Sequence, residues 1–170
     1  LVPKPGFIAE YFPMEYEDGI IPHGVEADIV RAEKQIDFDA IAEPWQGLPA
    51  RYGQGFAVRF TGYIDITCKG EKKAKYIFTL ESGKQGKLYI DDTLAIDDDA
   101  AKEIELKKGA HLIRVDYACK SGEPHGVKLY YKGPETMPEL KEGETPTPEM
   151  GNIIIPPTVT CYYNLPICAQ

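Results

Sequence analysis

Between residues 75 and 131 the chain alternates apolar and polar side chains in five short runs, 76–80, 87–90, 103–106, 112–117 and 127–131, each closed by a turn signal. A helix returns to one face every 3.6 residues, whereas a strand changes face at every residue, so period two fits half-buried strands. One face would carry Phe78, Leu88, Ile90, Ile104, Leu106, Ile113, Val115, Tyr117, Val127 and Leu129. The other would carry Glu103, Glu105, Arg114, Asp116 and Lys128. Turn residues at Ser82-Gly83, Asp91-Asp92, Lys108-Gly109 and Ser121-Gly122 recur regularly, which predicts an all-β, antiparallel sandwich or barrel.

At 170 residues the chain suits one domain with a sizeable core. A net charge of −8 argues against nucleic acid and against anionic membranes, which both require clustered Lys and Arg. No apolar run approaches the roughly 20 residues that span a bilayer, so no membrane insertion is expected. The chain starts at Leu1 with no initiating Met and no visible signal peptide, and reads as a mature or excised piece of a longer protein. Its four cysteines, Cys68, Cys119, Cys161 and Cys168, form no Cys-x-x-Cys pair. Their even number and wide spacing suggest two disulfides and an oxidising compartment, free thiols in a reducing one being the alternative. Of the three possible connectivities, Cys68–Cys119 with Cys161–Cys168 is favoured, because Cys68 and Cys119 share the parity of inward-facing neighbours.

Taken in order, residues 6–12 read as a first strand ended by Pro13, and residues 14–32 show no clear period apart from a short strand at 27–31. Residues 35–38 follow, residues 39–42 suit one helical turn, and residues 43–49 are a Pro- and Gly-rich loop. Trp45 in that loop is open to two readings, a core cap, which is favoured, or a binding platform. Residues 56–67 are the longest strand candidate, with Gly62 marking a bulge or a close backbone approach. Residues 70–73 suit a hairpin into the alternating stretch. The expected divisions are a β domain over 1–133, a Pro- and Glu-rich linker or long loop over 134–152, and a strand-like segment over 153–170 that packs back on the domain.

Several phrases recur in a specific order: residues 6–12, Ile36-Asp37-Phe38-Asp39, Gly47-Leu48-Pro49, residues 56–64, residues 76–82, Leu88-Tyr89-Ile90-Asp91, Leu94-Ala95-Ile96-Asp97 and residues 106–117. Together they resemble the PA14 domain, a family named for a segment of the anthrax protective antigen and shared with yeast flocculins and adhesins and with bacterial glycoside hydrolases and surface proteins. The resemblance covers roughly residues 6–133. It implies a jelly-roll-like β-barrel or β-sandwich that serves as a recognition module of a larger secreted or cell-surface protein.

In lectin members of that family an aspartate pair holds calcium, and sugar hydroxyls complete its oxygen shell. The pair follows the position matched by Ser82, yet here Gly83-Lys84-Gln85-Gly86 stands in its place. No metal is therefore expected; if calcium binds, Asp97, Asp98 and Asp99 are the candidates. No catalytic motif is present, and His23, His111 and His125 are isolated in sequence, so the chain is read as a binder and not as an enzyme. Two functions follow: a protein-interaction or adhesion module, which the missing aspartates favour, and a lectin-like glycan binder. For either, the candidate contacts are Ser82, Lys84, Gln85, Asp98, Asp99, His125 and Trp45, on the loops 82–87, 97–102 and 120–125 and on the Pro-rich loop.

Overall fold

A computed structural model describes residues 2–163. Thirteen strands follow in order: β1 Lys4–Pro5, β2 Phe7–Phe12, β3 Ile29–Glu33, β4 Asp37–Ile41, β5 Gly55–Ile66, β6 Lys73–Glu81, β7 Gly86–Ile90, β8 Thr93–Asp97, β9 Ala100–Lys107, β10 Gly109–Lys120, β11 His125–Lys132, β12 Ile153–Ile154 and β13 Thr160–Tyr162. They form two antiparallel sheets. The larger runs β1-β13-β5-β10-β7-β8, with β2 pairing β5 and β3; the smaller runs β12-β11-β6-β9, with β4 pairing β11. Neither sheet closes on itself, so the architecture is a sandwich. Every connection from β4 to β7 and from β8 to β11 passes between the sheets, which gives it its jelly-roll character.

The period-two stretch does what alternation requires. Phe78, Leu88, Ile90, Leu106, Ile113, Val115, Tyr117, Val127 and Leu129 are buried in one cluster, with Ile104 packed at its margin. Sealing this cluster from water is the main stabilising term, about 1.5–3 kcal/mol for each large apolar side chain fully buried. Asp91 and Asp92 join β7 to β8 with φ of 50° and 64°, a left-handed pair whose twist matches the flanking strands.

Three local expectations are corrected. Residues 70–73 make no hairpin, because β5 and β6 lie in different sheets. The helical turn placed at 39–42 is occupied by β4, whose pairing to β11 outweighs weak local helix preference. At Gly62 there is no bulge: its register with Ile113 is continuous, and an added Cβ would lie 2.8 Å from Phe7 Cδ1, so the glycine marks a close approach.

The Cys68–Cys119 disulfide is also corrected. Both thiols are free and buried, each facing a backbone carbonyl, Leu106 O and Phe56 O respectively. Register explains why. Cys119 pairs with Phe56 at one end of β5, and Cys68 lies beyond Ile66 at the other. Ten strand residues at about 3.4 Å each separate them by roughly 34 Å, far outside disulfide reach. The Cys161–Cys168 pairing lies outside the described residues.

The outer face of the larger sheet carries a row of alternating charge across five strands, Glu10, Arg59, Asp116, Lys87 and Asp97, each directly opposite the next. Its centre is covered: Arg59 and Asp116 are 8% and 5% exposed, with Nε 3.0 Å from Oδ1. Arg59 Nη2 also donates to Ile21 O at 2.8 Å, which ties the 13–28 segment to the sheet. Beside it Ile21 packs on Phe12 and Ala57, with Tyr16, Ala27 and Ala118 around them. At the C-terminal side β12 pairs with β11, β13 lies between β1 and β5, and Ile155 enters the core at 1% exposure. Residues 138–149 are exposed, while the base of that loop is held by Tyr76, which donates to Glu135 Oε2, and by Lys132, which donates to Pro148 O. No helix among the described residues is long and apolar enough to cross a membrane.

Candidate functional site

Where β6 passes to β7 the chain makes a tight crossing through Gly83 and Lys84, both at φ 62°. A left-handed lysine is strained by about 1 kcal/mol and needs an external hold. The hold comes from the turn between β8 and β9. One Asp99 oxygen accepts from the Ser82 amide at 2.8 Å and from the Ser82 hydroxyl, and the other accepts from the Lys84 amide at 3.2 Å. Ser82 Oγ in turn accepts from the Gln85 amide at 3.2 Å, so Ser82 sits beneath the loop at 2% exposure.

The loop so held forms one wall of a cleft of about 380 Å³. That volume is near the small end of the range of about 300–1,000 Å³ common to small-molecule sites. Lys84, Gln85 and Asp98 line it on one side, Lys120 and Glu123 on a second, and Glu15, Tyr16 and Asp18 on a third. The walls are tied to each other. Gln85 Nε2 donates to Glu123 Oε2 at 3.1 Å, and Glu15 Oε1 accepts from the Ser121 amide at 2.7 Å. Lys87 donates to Asp97, and that hydrogen bond raises the lysine pKa against the opposing effect of burial. Positive and negative groups interleave around the opening, so it presents many donors and acceptors without one dominant sign of charge. Tyr16 Oη and Gln85 Oε1, at the tips of rotatable side chains in the wall, are buried without a partner among the described residues. Unmet capacity of this kind is costly unless a hydroxylated ligand or solvent meets it.

Of the residues chosen from sequence, Ser82, Lys84, Gln85, Asp98 and Asp99 converge here, although Ser82 and Asp99 shape the loop and do not line the cleft. Trp45 and His125 do not join them. Trp45 is 2% exposed, stacked on Phe38 at 4.0 Å between centroids, and donates through Nε1 to His125 O at 2.8 Å. Its burial supports the favoured reading of a core cap, one that also borders the groove between β3 and β4. His125 is 1% exposed and packed edge-on against Phe56 at 5.4 Å, and burial lowers its pKa. Its place in a ligand site is corrected. Glu15, Tyr16 and Asp18 were missed, because the 13–28 segment has no periodicity and only a turn-like Glu17-Asp18-Gly19 to mark it.

His111 lies apart from the cleft. Its Nδ1 meets Asp91 Oδ2 at 2.5 Å and its Nε2 meets Lys107 O at 2.6 Å. A carboxylate and a carbonyl both accept, so both ring nitrogens donate only when the imidazole is charged. Burial opposes that charge, but these partners prevail and the pKa is raised. A second groove of about 520 Å³, between the edges of β3 and β4, is floored by Phe38. Its charged groups are already matched, Arg31 to Glu33, and Asp37 and Asp39 to Lys128.

The aspartate run does not offer calcium a shared shell. Asp97 pairs with Lys87, Asp99 is engaged by the 82–84 loop, and of the three only Asp98 lines the cleft, with no side-chain partner among the described residues. Among the described residues no three His, Cys, Asp or Glu side chains are grouped to hold a metal ion. Calcium takes 6–8 oxygens, typically with several carboxylates, so this donor set does not fit it.

The family model of the PA14 domain matches residues 48–144. No curated protein matches in sequence. Among solved structures, an anti-sigma factor domain-containing protein from Clostridium clariflavum superposes with a TM-score of 0.65 at 20% identity, over 92% of this chain and 46% of that one. The PA14 domain of the MpAFP antifreeze protein gives 0.62 at 10% identity, over 95% and 92%. The epithelial adhesin 6 A domain from Candida glabrata, solved in complex with Galb1-3GlcNAc, gives 0.61 at 12% identity, over 96% and 89%. At such identities the likeness concerns the fold. The chain spans less than half the length of the Clostridium protein.

Proposed function

We propose, for a chain that belongs to the PA14 domain family, that it is a non-catalytic recognition module binding a neutral, hydroxylated carbohydrate in the cleft between the 13–19, 82–87 and 118–123 segments. The observation that carries this reading is the cleft itself, open, polar and bordered by interleaved charges, with Lys84, Gln85 and Asp98 at its wall. Sugar hydroxyls both donate and accept, so a mixed rim suits them better than a rim of one sign. The adhesin domain that shares this fold was solved with a disaccharide, which makes a glycan the first class to test. The histidines support a binder over an enzyme: His111 has both nitrogens engaged and His125 is sealed in the core. The setting that fits is a secreted or cell-surface protein of several domains.

A protein partner is the second reading. It is favoured by the replacement of the lectin-type aspartate pair with Gly83 and Lys84. A glycan array probed with the whole chain separates the two. Retention of neutral glycans that is lost in Tyr16→Ala and in Gln85→Ala is the expected result. A blank array, or retention indifferent to both substitutions, would sink the glycan reading and leave the protein partner ahead.

A further inference from the structure

Among the described residues, Asp99 is the one side chain that hydrogen-bonds to the 82–84 crossing from another connection. Its contacts, to the Ser82 amide and hydroxyl and to the Lys84 amide, span 17 and 15 residues of sequence. They use both carboxylate oxygens. The crossing has two consecutive left-handed residues, and one of them is a lysine, which does not adopt that conformation unaided. A carboxylate that accepts from the amides of such a turn fills the concavity the turned amides create. The loop is therefore ordered by an anion that the chain itself supplies.

We infer that Asp99 is the positioning residue of the cleft: it presets the 82–86 wall from within the chain, so that ligand recognition here is independent of any metal ion. The loop's three donors take most of the acceptor sites of that carboxylate, and its neighbour Asp97 is held by Lys87, so a cation would compete with contacts already made. A metal at this turn would draw on the same carboxylate and weaken the contacts that give the loop its shape. The consequence for recognition is that Lys84 and Gln85 meet the ligand already oriented. This inference rests on the cleft being the ligand site, but the loop arrangement is measurable without a ligand.

The test is amide hydrogen exchange on the full chain, in EDTA and in excess CaCl₂, with Phe60 and Val115 in the central strands as folding controls. Protection of the Ser82 and Lys84 amides should be the same in both solutions. In Asp99→Ala both amides should exchange at least about tenfold faster while the controls stay protected, since hydrogen bonds to a charged acceptor are lost. Asp99→Asn keeps one accepting oxygen and should retain protection at only one of the two amides, which provides a milder variant should the alanine form unfold. Protection that needs calcium, or protection that survives Asp99→Ala, overturns the inference. On a glycan array, wild-type retention should be equal in EDTA and CaCl₂ and lost in Asp99→Ala under conditions where near-UV circular dichroism is unchanged. Retention by Asp99→Ala equal to wild type removes the positioning role. An array blank for the wild type counts against the glycan reading, and the exchange result still decides whether Asp99 orders the loop.

Discussion

Replacing Asp116 with alanine removes the only carboxylate among the described residues at hydrogen-bond distance from Arg59, which is 8% exposed. The guanidinium keeps the Ile21 carbonyl but loses its counter-charge. Arg114, whose Nε lies 3.8 Å from the same carboxylate, loses one of its two neighbouring anions and keeps Asp92, 3.8 Å from Nη1. Breaking a buried ion pair from one side typically costs about 3–5 kcal/mol, because an uncompensated charge remains. For a chain of this size each kcal/mol moves the melting temperature by about 2–4 °C, so Asp116→Ala should melt about 6–20 °C lower. The double variant Arg59→Met, Asp116→Leu removes both charges and keeps apolar volume under the 13–28 segment, and it should recover most of the loss. Urea unfolding followed by near-UV circular dichroism at constant pH and salt gives the free energies for the cycle. An Asp116→Ala variant within about 1 kcal/mol of wild type would refute the reasoning, as would a double variant no better than the single.

His111 should titrate above the ordinary imidazole value of about 6.5 when its ring protons are followed by NMR, because its hydrogen-bond partners raise its pKa against the opposing effect of burial. A raised folded pKa gives stability that is fully present below the unfolded value of about 6.5 and is lost as pH rises through the folded one. The stability difference between wild type and His111→Ala should therefore shrink as pH rises, and a difference that grows toward alkaline pH would contradict the clamp. Deleting residues 153–170 uncovers the core at Ile155 and removes the pairing of β12 and β13. That deletion should lower the melting temperature by several degrees, and an unchanged melting curve would show those strands to be energetically idle.

Parity along a strand is a local property, and it was legible: Val115 and Tyr117 face inward as their alternation required. Register is set by pairing between distant strands, and it was not. Cys68 and Cys119 share an inward face, yet lie at opposite ends of β5 because the pairing of β5 with β10 runs its full length. The same limit governs the site. Lys84, Gln85 and Asp98 could be placed on loops that meet, since consecutive crossings of a jelly roll bring their turns to common ends. The Asp99 contact to Ser82 has no trace in sequence, because it joins two turns that belong to different connections. His125 looked available, and Trp45 stayed open to a platform reading beside the favoured core cap, because composition does not reveal burial. The hydrogen bond from one to the backbone of the other exists once β4 and β11 are paired.

β1 and β13 are neighbours, and Lys4 lies opposite Tyr162. The first and last of the described strands therefore lie side by side, short and antiparallel. A tension applied through residues flanking these strands would pull Lys4 and Tyr162 apart across the pair, so their hydrogen bonds would bear the load one after another and not together. The seam would open like a zip before β5 and β10, paired along twelve residues, felt any strain. Under pulling, the strand that gives way first is remote from the cleft, whose walls come from residues 15–19, 83–87 and 118–123. Peeling of these two end strands would thus leave the cleft proposed for recognition in shape.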